Sequence, residues 1–379
     1  MYEDLRVCLK DFAAEYRSFA LEADRLGDIP AAHLANKEFR QIWMLGTPQQ
    51  YGNTGIKLSR NNVFYGNKSL EMAICTEELS YGDPAMALSM PGAQLLGPIV
   101  MELGTEEQKS RFFESLTSSE PIWTGFNLTE PDAGSDVSGL HTVAVRTGNG
   151  GYVLTGEKRY IANAKRAQWV AVFAKLNHSQ NPLAIQCFLL HESEFVGSQC
   201  TRLSDHTLGM RAAELGYTQY HALEICEDSL LGIDKSALRR GLHGAVNVFF
   251  RMRPCTASIA IGLSRAMIDY ASEHLSLNVN ETISLQRLQW KMEKTRRLVY
   301  NAASEVDRGV FDVKTSSMAK WMSNALVYEV SRTVHQLAGL EGWLEHPLLE
   351  KWLRDARMIE FMEGSTNIHK REVAKELFK

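Results

Sequence analysis

The spacing of apolar and polar positions divides the chain of 379 residues into three zones. Residues 1–118 read as helices. Positions 69–79 are helical in composition, with Ser69 as the cap and Glu71 as an early acid. A break at Tyr81-Gly82-Asp83-Pro84 follows. Thr105-Glu106-Glu107-Gln108 starts another helix, again with a capping threonine and early acids. Positions 48–55 form a loop rich in turn formers. From 119 to 230 the period changes. Short β-prone runs at 142–146 and 152–155 flank Asn149-Gly150-Gly151, which reads as a hairpin turn. Further runs at 169–174, 184–190 and 216–226 complete a set that predicts a small barrel or sandwich. From 231 to 379 long helices return. Ile259, Leu263, Ala266, Met267 and Tyr270 share one helical face. A second face carries Met318, Trp321, Met322 and Ala325, continuing through Leu326, Val330, Val334 and Leu337. Both faces read as bundle core. The helical stretches at 349–361 and 370–378 are interrupted by a polar break.

A chain of this length holds two or three domains' worth of material and can bury a large core. The net charge of −4 carries no bulk basicity, so nothing in it calls for nucleic acid. The six cysteines are scattered, with no C-x-x-C pair, a usage that suits a reducing cytosol rather than a disulfide framework or zinc site. The start, Met1-Tyr2-Glu3-Asp4-Leu5-Arg6, has no signal pattern. No uncharged apolar run is long enough to span a membrane. The expectation is a soluble, cytoplasmic protein.

Several chemistries lack their motif. No G-x-G-x-x-G follows a strand, and neither a phosphate-binding G-x-x-x-x-G-K-[ST] nor a G-x-S-x-G elbow occurs. His206, His221, His335 and His346 lack metal-ligand spacing. Two polar, turn-rich segments remain. Thr129-Glu130-Pro131-Asp132-Ala133-Gly134-Ser135-Asp136 joins the helical zone to the strands. Its successive backbone N–H groups and the hydroxyls of Thr129 and Ser135 suit an anion cradle. It reads equally as a capped connector, and composition alone favours the connector. Met362-Glu363-Gly364-Ser365-Thr366-Asn367-Ile368 breaks the last helices. A carboxylate lifted into an apolar cavity gains proton affinity, which suits a general base. Spacing alone favours a cap at Ser365 or Thr366, with Glu363 in solvent.

Taken together, these segments resemble the acyl-CoA dehydrogenase family over almost the whole chain. Residues 128–136 match its L-T-E-P-x-A-G-S-D flavin segment. Pro48-Gln49-Gln50-Tyr51-Gly52 is similar to P-E-E-Y-G, and Gly156-Glu157-Lys158-Arg159-Tyr160-Ile161-Ala162-Asn163 to G-x-K-x-W-I-T-N. Leu208-Gly209-Met210-Arg211 resembles L-G-x-R. Gln336-Leu337-Ala338-Gly339-Leu340-Glu341-Gly342 resembles Q-x-x-G-G-x-G. Arg354-Asp355-Ala356 and Glu363-Gly364-Ser365 resemble R-D-A and E-G-T. The resemblance implies an α+β chain: an N-terminal helical domain (1–118), a middle β-barrel (119–230) and a C-terminal four-helix bundle (231–379) carrying the base.

The resemblance also implies bound FAD and no metal. Phe126, Leu128 and Thr129 would line the isoalloxazine. Gly134 and Ser135 would lie where flavin meets the substrate's carrier arm, and Tyr160 and Ala162 would face the ring. Ser365 and Asn367 would reach FAD near the base, while Gln336 and Gly339 would touch the FAD of a neighbouring subunit in a homodimer or homotetramer. Glu363 would take the α-proton of an acyl thioester as a β-hydride leaves for flavin N5. Arg253 matches the arginine beside that base. Enolate charge would be met by a flavin ribityl hydroxyl and by the N–H of Gly364 or Ser365. An external acceptor, a flavoprotein or oxygen, would take the electrons.

Three positions depart from the pattern. Ala162 stands where the family has a threonine, so a hydroxyl near N5 is missing. His274-Leu275-Ser276-Leu277-Asn278 stands where R-x-x-F-G is expected, and a neutral imidazole is a poor substitute for a guanidinium fork. Phe249-Phe250-Arg251 replaces a stretch that often carries an acid near the carrier arm, which leaves acyl-CoA and an acyl-carrier-protein thioester both open as substrate. The competing readings are a flavin monooxygenase or oxidase on the same fold and a non-catalytic helical binding module.

Overall fold

The computed structural model describes residues 2–58, 62–179, 181–236 and 239–378. Met1 and Lys379, the outer limits of the domain reading, fall outside it. The N-terminal region holds α1 (Tyr2–Leu26), the short α2 (Ala31–Leu34) and α3 (Arg40–Trp43), and the two-stranded pair β1 (Ile56–Lys57) and β2 (Val63–Phe64). Helices α4 (Ser69–Gly82), α5 (Pro84–Ser89), α6 (Leu96–Leu103) and α7 (Glu106–Ser115) follow. The predicted cap at Thr105 is present as a full capping box with Gln108. Ser69 is not a cap. It is the first helical residue of α4, and its N–H and that of Leu70 donate to the Asp307 carboxylate at 2.6 and 3.0 Å. Tyr81 and Gly82 stay inside α4, and the break falls at Asp83, which caps α5 through Met86 N–H.

The middle region is a mixed seven-stranded sheet. Its strands are β3 (Thr124–Asn127), β4 (Val143–Arg146), β5 (Tyr152–Ile161), β6 (Trp169–Leu176), β7 (Ile185–His191), β8 (Cys200–Ser204) and β9 (Gly216–Ile225). The expected hairpin joins β4 to β5, with Gly150 in the left-handed region at its turn. Strands β3 and β4 both run parallel to β6, so the sheet is not a chain of hairpins.

The C-terminal region holds α8 (Gly241–His274), α9 (Val279–Asp307), α10 (Val313–Glu345), α11 (Pro347–Ile359) and α12 (Thr366–Leu377). The predicted α8 face is correct: Ile259, Leu263, Ala266 and Met267 are buried. The predicted α10 face holds in its second half, where Leu326, Val330 and Val334 are buried, and fails in its first. Met322 and Ala325 are exposed and Trp321 is half-buried, while Ser316, Ser317, Lys320, Ser323 and Asn324 are buried. One core joins α1, α4, α8, α9, α10 and α11. A second joins α6 and α7 to β3, β6 and β7 and to Ala245 and Val248 of α8. Helix α8 therefore belongs to both cores, and its first half lies against the sheet. Among the described residues, no helix is long and apolar enough to cross a membrane.

Candidate active site

The turn-rich segment after β3 is fixed from below and open above. Glu130 is buried and accepts the N–H groups of His141 and Thr142 at 2.6 and 2.9 Å. Lys158 of β5, fully buried, donates to Glu130 Oε1 at 2.8 Å and to the Leu128 carbonyl at 3.1 Å. Arg159 N–H donates to the Thr129 carbonyl at 2.9 Å. Gly134 and Ser135 are exposed. Among the described residues, the N–H groups of Thr129, Gly134, Ser135 and Ala162 and the hydroxyls of Thr129 and Ser135 donate to no protein acceptor. Unspent donors on a braced loop fit a polar ring edge or a diphosphate. Tyr160 and Asn163 flank Ala162 in the left-handed region, and Tyr160 is exposed. Non-glycine residues held there concentrate at functional sites.

The second segment lies between α11 and α12. Glu363 sits in the left-handed region at φ 55 and is half-buried. Gly364 follows at φ 97, and a Cβ there would lie 3.2 Å from His369 Nε2. The site needs glycine on both counts. Neither Ser365 nor Thr366 caps α12 with its side chain. Instead Glu360 accepts Thr366 N–H at 2.8 Å and the Thr366 hydroxyl at 2.7 Å. The N–H groups of Gly364 and Ser365 remain unspent.

Helix α8 connects the two segments. Phe126 meets Phe249 edge-on, ring centroids 5.9 Å apart. One turn further along α8, the charge of Arg253 faces Glu363. From the other side, Arg371 of α12 exerts its charge on Asp136. Phe126 and Glu363 thus meet the first half of α8 at positions one turn apart, Phe249 and Arg253. Ser365 is half-buried and Asn367 exposed in the Glu363 segment. Gln336 and Gly339 lie apart, exposed on α10, which kinks at Gly339 (φ 67, ψ −172). His274 stacks on Tyr270 at 4.0 Å, and Tyr270 Oη meets His346 Nδ1 at 3.1 Å. A cavity of about 490 Å³ between α1 and residues 54–57 contains none of these groups.

Sequence reasoning missed Lys320, Glu372 and His369, which surround the turn. Lys320 is fully buried, donating to Asn324 Oδ1 at 2.6 Å and the Ile359 carbonyl at 3.0 Å. Burial lowers its pKa to about 7, against the pull of Glu360 and Glu363. Burial likewise pushes the Glu363 carboxyl above its ordinary 4.5, and the charges of Arg253 and Lys320 reverse this only in part. A lysine depressed by folding carries its full burial cost below its folded pKa and sheds it as the pH rises toward 10.5. Relative to Lys320→Met, the wild type should therefore gain stability between about pH 7 and 10.5. Urea titrations at several pH values measure this, and parallel curves for the two proteins would refute it.

Models of the acyl-CoA dehydrogenase N-terminal, middle and C-terminal domains match residues 2–120, 125–223 and 239–378 in order. The chain belongs to the acyl-CoA dehydrogenase family. Its members are flavoprotein oxidoreductases with FAD as cofactor. The short-chain specific acyl-CoA dehydrogenase of Bos taurus mitochondria is 29% identical over 391 residues, spanning 100% of this chain and 90% of the bovine protein. Butyryl-CoA dehydrogenase from Megasphaera elsdenii superposes with a TM-score of 0.85 at 23% identity, covering 100% of this chain and 98% of that one. The prolyl acyl carrier protein oxidase AnaB superposes with a TM-score of 0.83 at 20% identity, covering 99% and 98%.

Proposed function

We propose that this acyl-CoA dehydrogenase family member carries out FAD-dependent α,β-dehydrogenation of an acyl thioester, with Glu363 as the base. The observation that carries the reading is the approach of two segments to the first half of α8, one turn apart: the braced segment with unspent donors, and a half-buried carboxylate whose proton affinity is raised. FAD, when bound, supplies at N5 the acceptor for the β-hydride. Phe126, Leu128, Thr129, Gly134, Ser135, Tyr160 and Ala162 hold it from one chain, with Ser365 and Asn367 near the base. Gln336 and Gly339 reach it from a neighbouring copy in a homo-oligomer. The exposure of Leu340, Leu344 and Trp343 on the same helix supports that face being covered in an assembly.

Glu363 Oε receives the α-proton. The N–H of Gly364 or Ser365 faces the thioester oxygen as charge builds there. Arg253 sets the field around the base. Burial of the carboxyl keeps it basic against the charges of Arg253 and Lys320. Phe249 and Phe250 line the approach where an acid was expected; Arg253 lies over the Phe250 ring at 5.5 Å. That aromatic lining suits an acyl group delivered on a carrier protein as well as on coenzyme A. The three units 1–118, 119–230 and 231–379 act together in a cytoplasmic enzyme that passes its electrons to a flavoprotein or to oxygen.

The test is anaerobic bleaching of the purified yellow protein by a panel of acyl-CoA and acyl-carrier-protein thioesters. The expected result is bleaching by at least one class, and the class that bleaches identifies the carrier. A protein that takes up no flavin on reconstitution, or flavin that no thioester bleaches, would remove the reading. Peroxide release in air would mark oxygen as the acceptor.

A further inference from the structure

The charged and titratable groups around the Glu363 turn come from every element packed on it. Helix α8 contributes Arg253 and Cys255, α10 contributes Lys320, the α11–α12 junction contributes Glu360, and α12 contributes His369 and Glu372. Most are already committed. Lys320 is held by Asn324 and Ile359, and Glu360 by Thr366. Arg253 is the cation with a choice, because two carboxylates lie within its field. It takes Glu372: Nη1 donates to Oε2 at 3.2 Å and Nη2 approaches Oε1 at 3.5 Å. Among the described residues no hydrogen bond joins Arg253 to Glu363.

Glu372 is itself aimed at Arg253. The Ser317 hydroxyl donates to its Oε2 at 2.5 Å, and His369 Nδ1 lies 3.5 Å from the same oxygen. The histidine contact is long and poorly aligned, so neither ring nitrogen makes a good hydrogen bond. The ring is fully buried and lies against Gly364, so it also braces the peptide that follows the base. Burial would raise the Glu372 pKa, but the Arg253 charge, the Ser317 hydroxyl and the adjacent His369 ring outweigh it and hold it below the ordinary carboxylate range. Glu372 is therefore ionised wherever the enzyme works, and its charge offsets that of Arg253.

We propose that Glu372 is a positioning residue that engages Arg253 and keeps it from forming a salt bridge with Glu363, so that the base meets substrate with its proton affinity intact. A carboxylate locked to a guanidinium is a weak base, because the cation stabilises the ionised form. An arginine near the base is useful to the site only if its charge is partly neutralised. Glu372, two turns along the helix that the base introduces, performs that neutralisation.

The proposal rests on Glu363 being the base, and the test separates the two. In FAD-loaded protein, the pH midpoint of anaerobic flavin bleaching is measured for wild type, Glu372→Gln, Arg253→Gln and the double variant. Infrared difference spectra follow the protonated Glu363 carboxyl, assigned by its loss in Glu363→Gln, as a readout independent of turnover. Glu372→Gln should lower both midpoints by about 1–3 pH units, the usual effect of an uncompensated opposite charge nearby. Arg253→Gln should raise them, and the double variant should return near wild type. Glu372→Asp should recover part of the shift. Unchanged midpoints in Glu372→Gln would overturn the proposal. If that variant fails to fold, unmoved midpoints in Arg253→Gln would overturn it instead. If Glu363→Gln itself bleaches at a near wild-type rate, the base assignment fails. If Glu363→Gln is inert while Glu372→Gln leaves the midpoints in place, only the role of Glu372 falls.

Discussion

Glu363→Gln is expected to slow flavin bleaching by roughly 10²–10⁴-fold, the usual contribution of a positioned general base, while FAD stays bound. Retention follows from the geometry, because the unspent donors of the 126–135 segment and Ala162 do not depend on the Glu363 charge. Stopped-flow bleaching under anaerobic conditions measures the loss, and a near wild-type rate would remove Glu363 from the chemistry. Burial raises the Glu363 pKa, so in the wild type the rate should climb with pH through a value above 4.5. The stability effect has the opposite sign. A carboxyl raised by folding costs nothing while protonated. It charges its burial penalty to the folded state as the pH climbs from the unfolded pKa through the folded one. The glutamine variant should therefore gain on the wild type over that interval and keep the gain at neutral pH, a trade of stability for function. Thermal unfolding at pH 4 and pH 8 would show it.

Local signals survived from sequence to structure where the partner was also local. The Thr105 capping box and the Gly150 hairpin turn close over a few residues, and both are present. Caps supplied from a distance were invisible. Asp307, from the end of α9, serves the start of α4, and Glu360 serves the start of α12 across the turn that holds the base. Strands β3 and β8 were also missed; each is short and takes its place from its neighbours in the sheet.

The first half of helix α10 departs from the apolar period for a physical reason. In its first half Met322 and Ala325 face outward while the buried positions 316, 317, 320, 323 and 324 are small or polar; from Leu326 onward the inward side is apolar, with Val330 and Val334 buried. Ser316 and Ser323 bond back to carbonyls of their own helix, Asn324 accepts from Lys320, and the Ser317 hydroxyl donates to Glu372. A lysine with serines and asparagine at helical neighbours was the available signal for a buried polar seam. The base itself was not legible from spacing, since Glu363 was one of 45 acidic residues. The resemblance singled it out. The structure added its left-handed backbone, its raised proton affinity and the Arg253–Glu372 pair beside it.

Lys158→Met is expected to strip FAD from the protein and to cost about 3–5 kcal/mol of stability, the usual penalty for orphaning one member of a buried ion pair. Against a total of about 5–15 kcal/mol for a domain, that is a large share. Lys158 and Glu130 are both buried. Burial lowers the lysine to about 8, against the pull of Glu130. Burial would raise the carboxyl, but Lys158 and the hydrogen bonds to it outweigh this and hold it below its ordinary value. Both groups are therefore charged at neutral pH, and methionine leaves the carboxylate alone in the interior. The loss reaches FAD because the same amine holds the Leu128 carbonyl, so the donors of Thr129, Gly134 and Ser135 lose their footing together. The visible absorbance ratio and the urea midpoint measure the two effects, and a yellow Lys158→Met protein with an unchanged midpoint would refute both. Pairing it with Glu130→Leu separates them. Removing both charges should return part of the stability, since an apolar pair often replaces a buried ion pair at little cost. It should not return the flavin, because the N–H groups of His141 and Thr142 then lose their acceptor and the segment they anchor stays loose.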